Sequence, residues 1–163
     1  MRADLRVDGV AYARATVGGN DATEGVLKIY EHLGRSDINA MILSGAVISW
    51  FNVIDIQEVF DIIRKPVICL TYEESPGLER YICEYFPDSE EKILRYRRLG
   101  QREMVSLKTG YEVYIRALGA TPEDARVLLN KFTLDGRIPE PVRVARLAAR
   151  GAMHADEGLM ELK

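Results

Sequence analysis

Two apolar runs separated by an amphipathic segment occupy the middle of the chain. Ala40–Leu43 is a short apolar run, and the continuous apolar run Val67–Tyr72 is typical of a strand buried on both faces. Between them, Val53–Arg64 places apolar side chains on one face at helical spacing. Strand, helix and strand in this order predict a right-handed βαβ unit with parallel strands. Since ligands of parallel sheets bind beyond the carboxyl ends of the strands, Ser44–Asn52 is the expected rim of a site.

The flanking segments complete a mixed α/β pattern. Each is bounded by turn, capping or proline signals, and Asp21–Glu24 and Asp88–Glu91 both match a capping box. The predicted elements are a hairpin over Leu5–Val17, helices over Asp21–Leu33, Ser75–Phe86, Thr121–Phe132 and Val142–Arg150, a basic helix after Asp88, and strands over Arg102–Leu107 and Tyr111–Leu118. We expect one domain over residues 1–163, with a loose tail over residues 151–163.

Composition places the protein among ordinary globular proteins. Hydrophobic residues make up 47% and charged residues 29% of the 163 positions. No apolar run approaches the length of a membrane span, and the N-terminus lacks the apolar core of a signal peptide. Cys69 falls in a predicted strand and Cys83 in a predicted helix, which indicates buried thiols in a reducing compartment. We therefore expect a cytoplasmic protein without a membrane partner.

The charge is unevenly distributed along the chain. The net charge of −3 argues against a strongly basic, non-specific nucleic-acid binder. The segment Lys92–Lys108, however, carries six basic residues against one acid, and further arginines follow towards the C-terminus. A basic surface on the C-terminal half weakly favours a nucleic-acid partner, although such runs are also typical of solvated helix faces.

Carboxylates are the remaining candidates for chemistry. No glycine-rich phosphate loop is present, and His32 and His154 lack metal-ligand spacing to another His or Cys. Asp21 and Glu24 stand at a helix start, and such side chains suit Mg²⁺, which prefers oxygen ligands. The capping box explains the same two residues without a metal, so both interpretations stay open at this point.

Trp50 and Phe51, in the loop after the first strand, also have two interpretations. An aromatic side chain near a strand end can stack on a nucleobase. The pair can equally cover the end of the hydrophobic core. We take Trp50 and the nearby Asn52 as candidate nucleic-acid contacts.

Four segments in a fixed order resemble an archaeal family known as endonuclease dU, long described as a domain of unknown function. They are Gly18–Glu24, Met41–Gly45, Phe51–Asp55 and the proline-containing Gly136–Arg143. The likeness extends from about residue 8 to residue 151. The family is distantly similar to endonuclease V, a ribonuclease H-like nuclease.

The resemblance implies a fold and an activity. It implies a ribonuclease H-like mixed sheet with helices on both faces, and cleavage of DNA with deaminated bases that depends on Mg²⁺ or Mn²⁺, as in DNA repair. Asp21 and Glu24 would be the metal ligands. Arg137 and Arg143 would contact phosphates beside the proline turn.

The chain departs from the family pattern at three places. Ser44 stands where the relatives carry a metal-binding aspartate, and Tyr111 stands where endonuclease V has a histidine; both are candidate catalytic positions in altered form. By this resemblance we expect the first strand of the fold, with its leading aspartate, to be missing from this chain, with Met1 inside the second strand. A serine cannot offset cation charge, and a tyrosine with a pKa near 10 is a poor general acid–base near neutral pH.

These departures leave several functions open. The first is a metal-dependent endonuclease, and the second is a non-catalytic nucleic-acid-binding or assembly module with the same fold. A third is a small-molecule α/β enzyme that uses the Ser44–Asn52 rim. A sheet edge left without this strand is a template for pairing. Three alternatives stay open: Met1 is an internal methionine of a longer native protein, the sheet closes up, or the edge pairs with a second copy in a homo-oligomer.

Overall fold

A mixed sheet with surrounding helices forms the structure, a computed structural model that describes residues 1–87 and 90–160, with side chains up to residue 155. The element bounds follow in chain order. They are α1 (Ala22–Leu33), β1 (Met41–Ser44), β2 (Val47–Ile48), β3 (Asn52–Val53), α2 (Ile56–Ile63), β4 (Val67–Thr71), α3 (Glu79–Tyr85), α4 (Glu90–Arg98), β5 (Glu103–Ser106), β6 (Glu112–Leu118), α5 (Pro122–Phe132) and α6 (Glu140–Met160).

The four-stranded sheet has the order β1-β4-β6-β5. Strands β1 and β4 are parallel, with Leu43 opposite Cys69, as the βαβ pattern predicts. Strand β6 is antiparallel to both β4 and β5, and Thr71 lies opposite Tyr114. This register places the β5–β6 turn at the same edge as the carboxyl ends of β1 and β4. The candidate residues of that turn and of the two parallel strands therefore lie along one edge of the sheet.

Helices cover both faces of the sheet, as the family resemblance implies. Side chains alternate between the two faces of a strand, and β4 uses both: Val67 and Cys69 join one buried cluster, while Ile68 and Leu70 join the other. The first cluster includes buried residues of α1 and α2, and the second includes Ala125 and Leu129 of α5. Burial on both faces explains the unbroken apolar run of β4.

The Ser44–Asn52 segment contains a small hairpin that the sequence did not predict. Strands β2 and β3 pair antiparallel, with Ile48 opposite Asn52. Helix α2 consequently begins at Ile56 rather than at the predicted Val53. The Asp55 carboxylate caps this helix by accepting hydrogen bonds from the backbone N–H groups of Gln57 and Glu58.

The predicted N-terminal hairpin is wrong. Residues 1–17 form no strand in the part of the chain that the structure describes. The Asp8-Gly9 turn signal lies instead against the end of α1, because the Asp8 carboxylate pairs with Arg35 at 2.8 Å and its carbonyl accepts a second bond from Arg35. Strand β1 is an edge strand of the four-stranded sheet. Pairing of this edge with a second copy stays a prediction.

Some helix ends with local signals were predicted correctly. Gly34 ends α1 in the left-handed conformation, and Thr121 and Asp124 form a capping box at the predicted start of α5. The predicted start at Ser75 is wrong, since α3 begins at Glu79. Helix α6 is longer than predicted at both ends and continues through residues 151–160, where a loose tail was expected. The predicted box at Asp88 lies partly outside the described residues. Among the described helices, none combines the length and apolar character needed to cross a membrane.

Candidate nucleic-acid interface

Three arginines converge on the segment that follows β4, at the carboxyl edge of the parallel strands. We call Arg102, Arg137 and Arg146 the arginine cluster. Arg102 donates hydrogen bonds to Thr71 Oγ1 and to the carbonyl of Glu73, at 3.0 and 2.9 Å. Arg137 donates to the carbonyl of Tyr72 at 2.8 Å and to the Glu73 carboxylate at 2.6 Å. Each guanidinium has five N–H donors, so these bonds orient the groups and leave further donors for a ligand.

The third arginine joins this segment to β1. Arg146, on α6, donates a hydrogen bond of 2.7 Å to Ser44 Oγ at the end of β1. Its guanidinium lies 5.2 Å from the centre of the Tyr72 ring, and that of Arg137 lies 5.7 Å from the same ring. Two cations against one aromatic ring form a local positive surface held in place by cation–π contacts.

Tyr72 lies beneath this surface. Its hydroxyl is buried and lacks a well-formed hydrogen bond. Burial raises the pKa of Tyr72, while Arg146 and the Ser44 hydroxyl act in the opposite direction. The tyrosine is therefore neutral at physiological pH, and it serves as an apolar support for the two guanidinium groups.

The predicted residues Tyr111 and Arg143 have more peripheral positions. Tyr111 is exposed in the β5–β6 turn, at the same edge as the arginine cluster. That turn is fixed by Thr109, whose hydroxyl donates to the carbonyl of Gly136 next to Arg137. Arg143 pairs with Glu140 one turn earlier in α6, at 3.1 Å. The structure thus brings Ser44 and Arg137 together through Tyr72, and places Arg143 in a local helix pair.

Asp21 and Asn52 form a second group, around the start of α1. The Asp21 carboxylate accepts hydrogen bonds from the Thr16 backbone and hydroxyl, the latter at 2.7 Å, and from Asn52 Nδ2 at 2.6 Å. The capping box predicted for Asp21 and Glu24 is wrong, because the Asp21 side chain makes no cap bond. Asn52 performs this role from another segment, since its Oδ1 accepts from the Ala22 N–H at 3.0 Å.

The two carboxylates predicted to bind metal have partners within the protein. Hydrogen bonds from Thr16 and Asn52 lower the pKa of Asp21 to about 2. Glu24 points to Lys28, one turn further along α1, at 2.6 Å. No group of three or more His, Cys, Asp or Glu side chains suited to a metal ion occurs among the described residues. The hydrogen-bond donors that surround the Asp21 carboxylate do not fit a hard divalent cation, which prefers oxygen ligands. The metal-ligand roles of Asp21 and Glu24 stay predictions.

Trp50 does not cover the core. Its side chain is exposed by 54%, in the turn between β2 and β3, and it packs against Tyr85 with ring centres 5.0 Å apart. Asn52, two residues later, is fully buried and holds the start of α1. Of the two predicted nucleic-acid contacts in this loop, Trp50 is accessible to a ligand and Asn52 is a structural residue.

Sequence reasoning did not single out Arg102, Arg146 or Lys92 as site residues. Arg146 follows Arg143 by three positions and therefore lies near it on the helix surface, which was the available signal. Arg102 and Lys92 belong to the basic run and had no signal of their own. Lys92 is 2% exposed, and its ammonium donates to oxygens of Gly19 and Phe51, so this member of the run is not on the surface.

Comparison with known proteins places these features in a family. The model of the family described as Endonuclease dU matches residues 1–153. The chain belongs to the Endonuclease dU family. It is 38% identical over 152 residues to a UPF0215 protein of Pyrobaculum aerophilum, covering 93% of this chain and 81% of that protein. A UPF0215 protein of Thermococcus sibiricus is 29% identical over 160 residues, and the alignment covers 80% of that protein.

Solved structures agree with the family assignment. A protein of unknown function from Archaeoglobus fulgidus superposes with a TM-score of 0.68 and 26% identity, covering 83% of this chain and 77% of that one. A second solved structure is endonuclease V of Ciona intestinalis in complex with DNA containing an inosine followed by a ribo-adenosine. It superposes with a TM-score of 0.52 and 15% identity, covering 82% of this chain and 64% of that one. This member of the Endonuclease dU family has the ribonuclease H-like fold of endonuclease V, and the family match supports a nuclease-like function.

Proposed function

We propose that this Endonuclease dU chain binds DNA through the arginine cluster at the carboxyl edge of β1 and β4. The observation that carries the proposal is the convergence of Arg102, Arg137 and Arg146 on one short segment. Guanidinium groups recognise phosphate oxygens through paired hydrogen bonds. Three such groups outnumber the acids of the segment, Glu73 and Glu74, so a phosphate backbone meets a net positive charge there.

The position of the cluster supports this proposal. In sheets with parallel strands, ligands bind beyond the carboxyl ends, where the chain turns away and leaves a crevice. The cluster lies at that edge, and α6 and the segment before it supply two of its arginines. Since Arg137 and Arg146 are held against the Tyr72 ring, little side-chain freedom is lost when DNA binds.

The test is the salt dependence of binding. Fluorescence anisotropy with labelled DNA, measured between 50 and 200 mM salt (about the range over which phosphate contacts weaken strongly), gives the number of released counterions. For Arg146→Gln we expect weaker binding and a salt slope reduced by about 1. Arg126→Gln is the matched control, because Arg126 pairs with Glu123 on the surface of α5. Equal binding by the two variants would exclude the arginine cluster as the DNA site.

Hydrolysis of DNA with deaminated bases is the second candidate function. The family match favours hydrolysis. The hydrogen-bond donors around the Asp21 carboxylate and the serine at position 44 favour DNA binding without cleavage. Labelled DNA with one uracil or one inosine, incubated with Mg²⁺ or Mn²⁺, separates the two. Cleavage at the modified base that EDTA abolishes supports a metal-dependent nuclease. Tight, salt-sensitive binding without product supports a non-catalytic module.

A further inference from the structure

The turn between β2 and β3 has an unusual backbone. Ser49, Trp50 and Phe51 have φ angles of 41°, 58° and 62°, so that three successive non-glycine residues lie in the left-handed region. A bulky residue is rarely found there, and each such residue costs roughly 1–3 kcal/mol. A strained turn of this kind persists only if its surroundings hold it, and such strain is concentrated at functional sites.

Two neighbouring segments hold the turn in place. The Gly18 N–H donates to the Ser49 carbonyl at 2.7 Å, and Lys92 Nζ donates to the Phe51 carbonyl at 3.0 Å. The same ammonium donates to the Gly19 carbonyl at 2.7 Å and to Asn20 Oδ1 at 3.0 Å. The buried Lys92 thus fastens α4, the loop before α1 and the aromatic turn to one another.

Trp50, in this turn, and Tyr85, at the end of α3, expose their aromatic rings to solvent. The side chains of Trp50 and Tyr85 are exposed by 54% and 49%, and their ring centres are 5.0 Å apart. Phe51 lies 5.4 Å from Trp50, and Phe86 lies 6.0 Å from Phe51, so the exposed pair rests on further rings. We call Trp50 and Tyr85 the aromatic platform. Its large apolar surface is pre-organised and about half of it faces solvent.

The charge beside the platform indicates the kind of ligand. Arg95, on α4, donates to the Asn20 carbonyl at 3.0 Å in the loop that holds the turn. Arg95 also pairs with Glu91 at 2.8 Å, and Arg97, on the last turn of the same helix, lines a cavity together with Phe86. Flat aromatic rings next to basic side chains are the combination used by proteins that bind unpaired nucleic-acid strands, in which bases stack and cations follow the backbone.

We propose that the aromatic platform stacks on one unpaired nucleobase of the bound DNA. This inference rests on the proposed function, because it names a second part of the bound DNA, which contacts the platform instead of the arginine cluster. The base stacks on the exposed face of Trp50 or Tyr85, and Arg97 contacts a neighbouring phosphate. The protein then prefers DNA with an unpaired base to a fully paired duplex of the same length.

The platform contains the only tryptophan of the chain, which gives a direct signal. The fluorescence of Trp50 is recorded while DNA is added, using a duplex with one unpaired thymine and the same duplex fully paired. We expect quenching by the first duplex and little change with the second. Labelled-DNA anisotropy on the same pair measures total binding independently of the platform.

Substitutions at Trp50 distinguish the contribution of its aromatic ring from that of the left-handed backbone. Trp50→Gly removes the ring, and glycine adopts the left-handed conformation without strain, so this variant folds. We expect it to bind the unpaired-base duplex about tenfold more weakly and to lose the preference over the paired duplex. Trp50→Tyr, which retains a ring, restores the preference. Tyr85→Ala weakens the same binding, whereas Tyr81→Ala, a matched exposed residue one turn earlier on α3, does not.

The outcomes distinguish this inference from the proposed function. Salt-sensitive binding with unchanged Trp50 fluorescence, and with equal affinities for Trp50→Gly and the unaltered chain, overturns the platform and leaves the arginine cluster standing. Absence of binding to any of the DNA molecules overturns the proposed function and the platform with it.

Discussion

One buried asparagine joins three segments that are distant in the chain. Asn52 Nδ2 donates to the Thr16 carbonyl at 2.9 Å and to Asp21, and Asn52 Oδ1 accepts from the Ala22 N–H. It therefore satisfies an N-terminal donor of α1 and fixes the loop before that helix. A buried polar group that loses its partners costs much more than the bond itself contributed.

The first prediction concerns this residue. Asn52→Ala leaves the Ala22 N–H without its partner and removes one of the donors to Asp21, and we expect it to lower the free energy of unfolding by about 1–3 kcal/mol. Urea denaturation measures the change. Asn39→Ala is the control, since the exposed Asn39 side chain donates to the carbonyl of Asp37, within its own loop. Similar midpoints for both variants would show that Asn52 is not a structural residue.

The second prediction follows from the neighbouring carboxylate. Hydrogen bonds from Thr16 and Asn52 lower the pKa of Asp21 from 3.8 to about 2. A lowered pKa means that the ionised form stabilises the fold; this contribution is complete above the unfolded pKa and is lost as the pH falls through the folded pKa. We expect the difference in Tm between the unaltered chain and Asp21→Asn to be constant above about pH 4 and to shrink towards pH 2.

A constant difference in Tm across that pH range would contradict the role of Asp21. Asp135→Asn provides the comparison, because Asp135 is exposed and makes none of these hydrogen bonds. The Tm of this control variant should follow that of the unaltered chain at every pH. A parallel loss in both variants would indicate a general charge effect.

The connections between elements depend on glycines in the left-handed conformation, and two of them form a matched pair. Gly119, between β6 and α5, has a φ of 71°, and a Cβ there would overlap the ring of Phe60 on α2. Gly136, before α6, has a φ of 61° and open space around it. The two positions have the same backbone requirement and differ in packing.

The third prediction uses this difference. Gly136→Ala should lower stability by about 1 kcal/mol, which is the cost of an alanine in the left-handed region. Gly119→Ala carries the same cost and also forces Phe60 to move, and we expect a further 1–3 kcal/mol, about the cost of overpacking. Thermal or urea unfolding measures both. Equal losses would mean that Phe60 moves aside without cost.

The ends of two helices were predicted correctly from local signals, whereas several features that depend on distant partners were missed. The Thr121 capping box and the stop at Gly34 involve residues within one helical turn, so the sequence pattern contains them. The start of α2 was missed because Asn52–Val53 pairs with Val47–Ile48 across the turn. Asp21 resembled a cap, but its carboxylate binds Thr16 and Asn52 outside the helix.

At the scale of the whole molecule, β4 connects the two halves of the core. It supplies buried side chains to the cluster under α1 and α2 and to the cluster under α5. Neither cluster can open fully while β4 stays paired on both sides with β1 and β6. The two faces of the sheet are therefore expected to unfold together.

The fourth prediction is a single cooperative unfolding transition. Far-UV circular dichroism reports on helices and strands, and the fluorescence of Trp50 reports on the β2–β3 turn. Because Lys92 and Asn52 fasten this turn to α4 and α1, both signals should change at the same urea concentration. A change in Trp50 fluorescence at lower urea would show that the turn opens before the sheet.

The sequence by itself determined the class of the fold, its central βαβ unit and the family, because periodicity, capping signals and an ordered set of motifs are written in neighbouring residues. Only the tertiary structure decided which charged side chains meet. The tertiary structure brings Arg102, Arg137 and Arg146 into contact with the segment that follows β4. It also buries Lys92 and exposes Trp50. The physical reason is that contacts between residues distant in the chain depend on how strands and helices pack, and a single sequence carries no local mark of that packing.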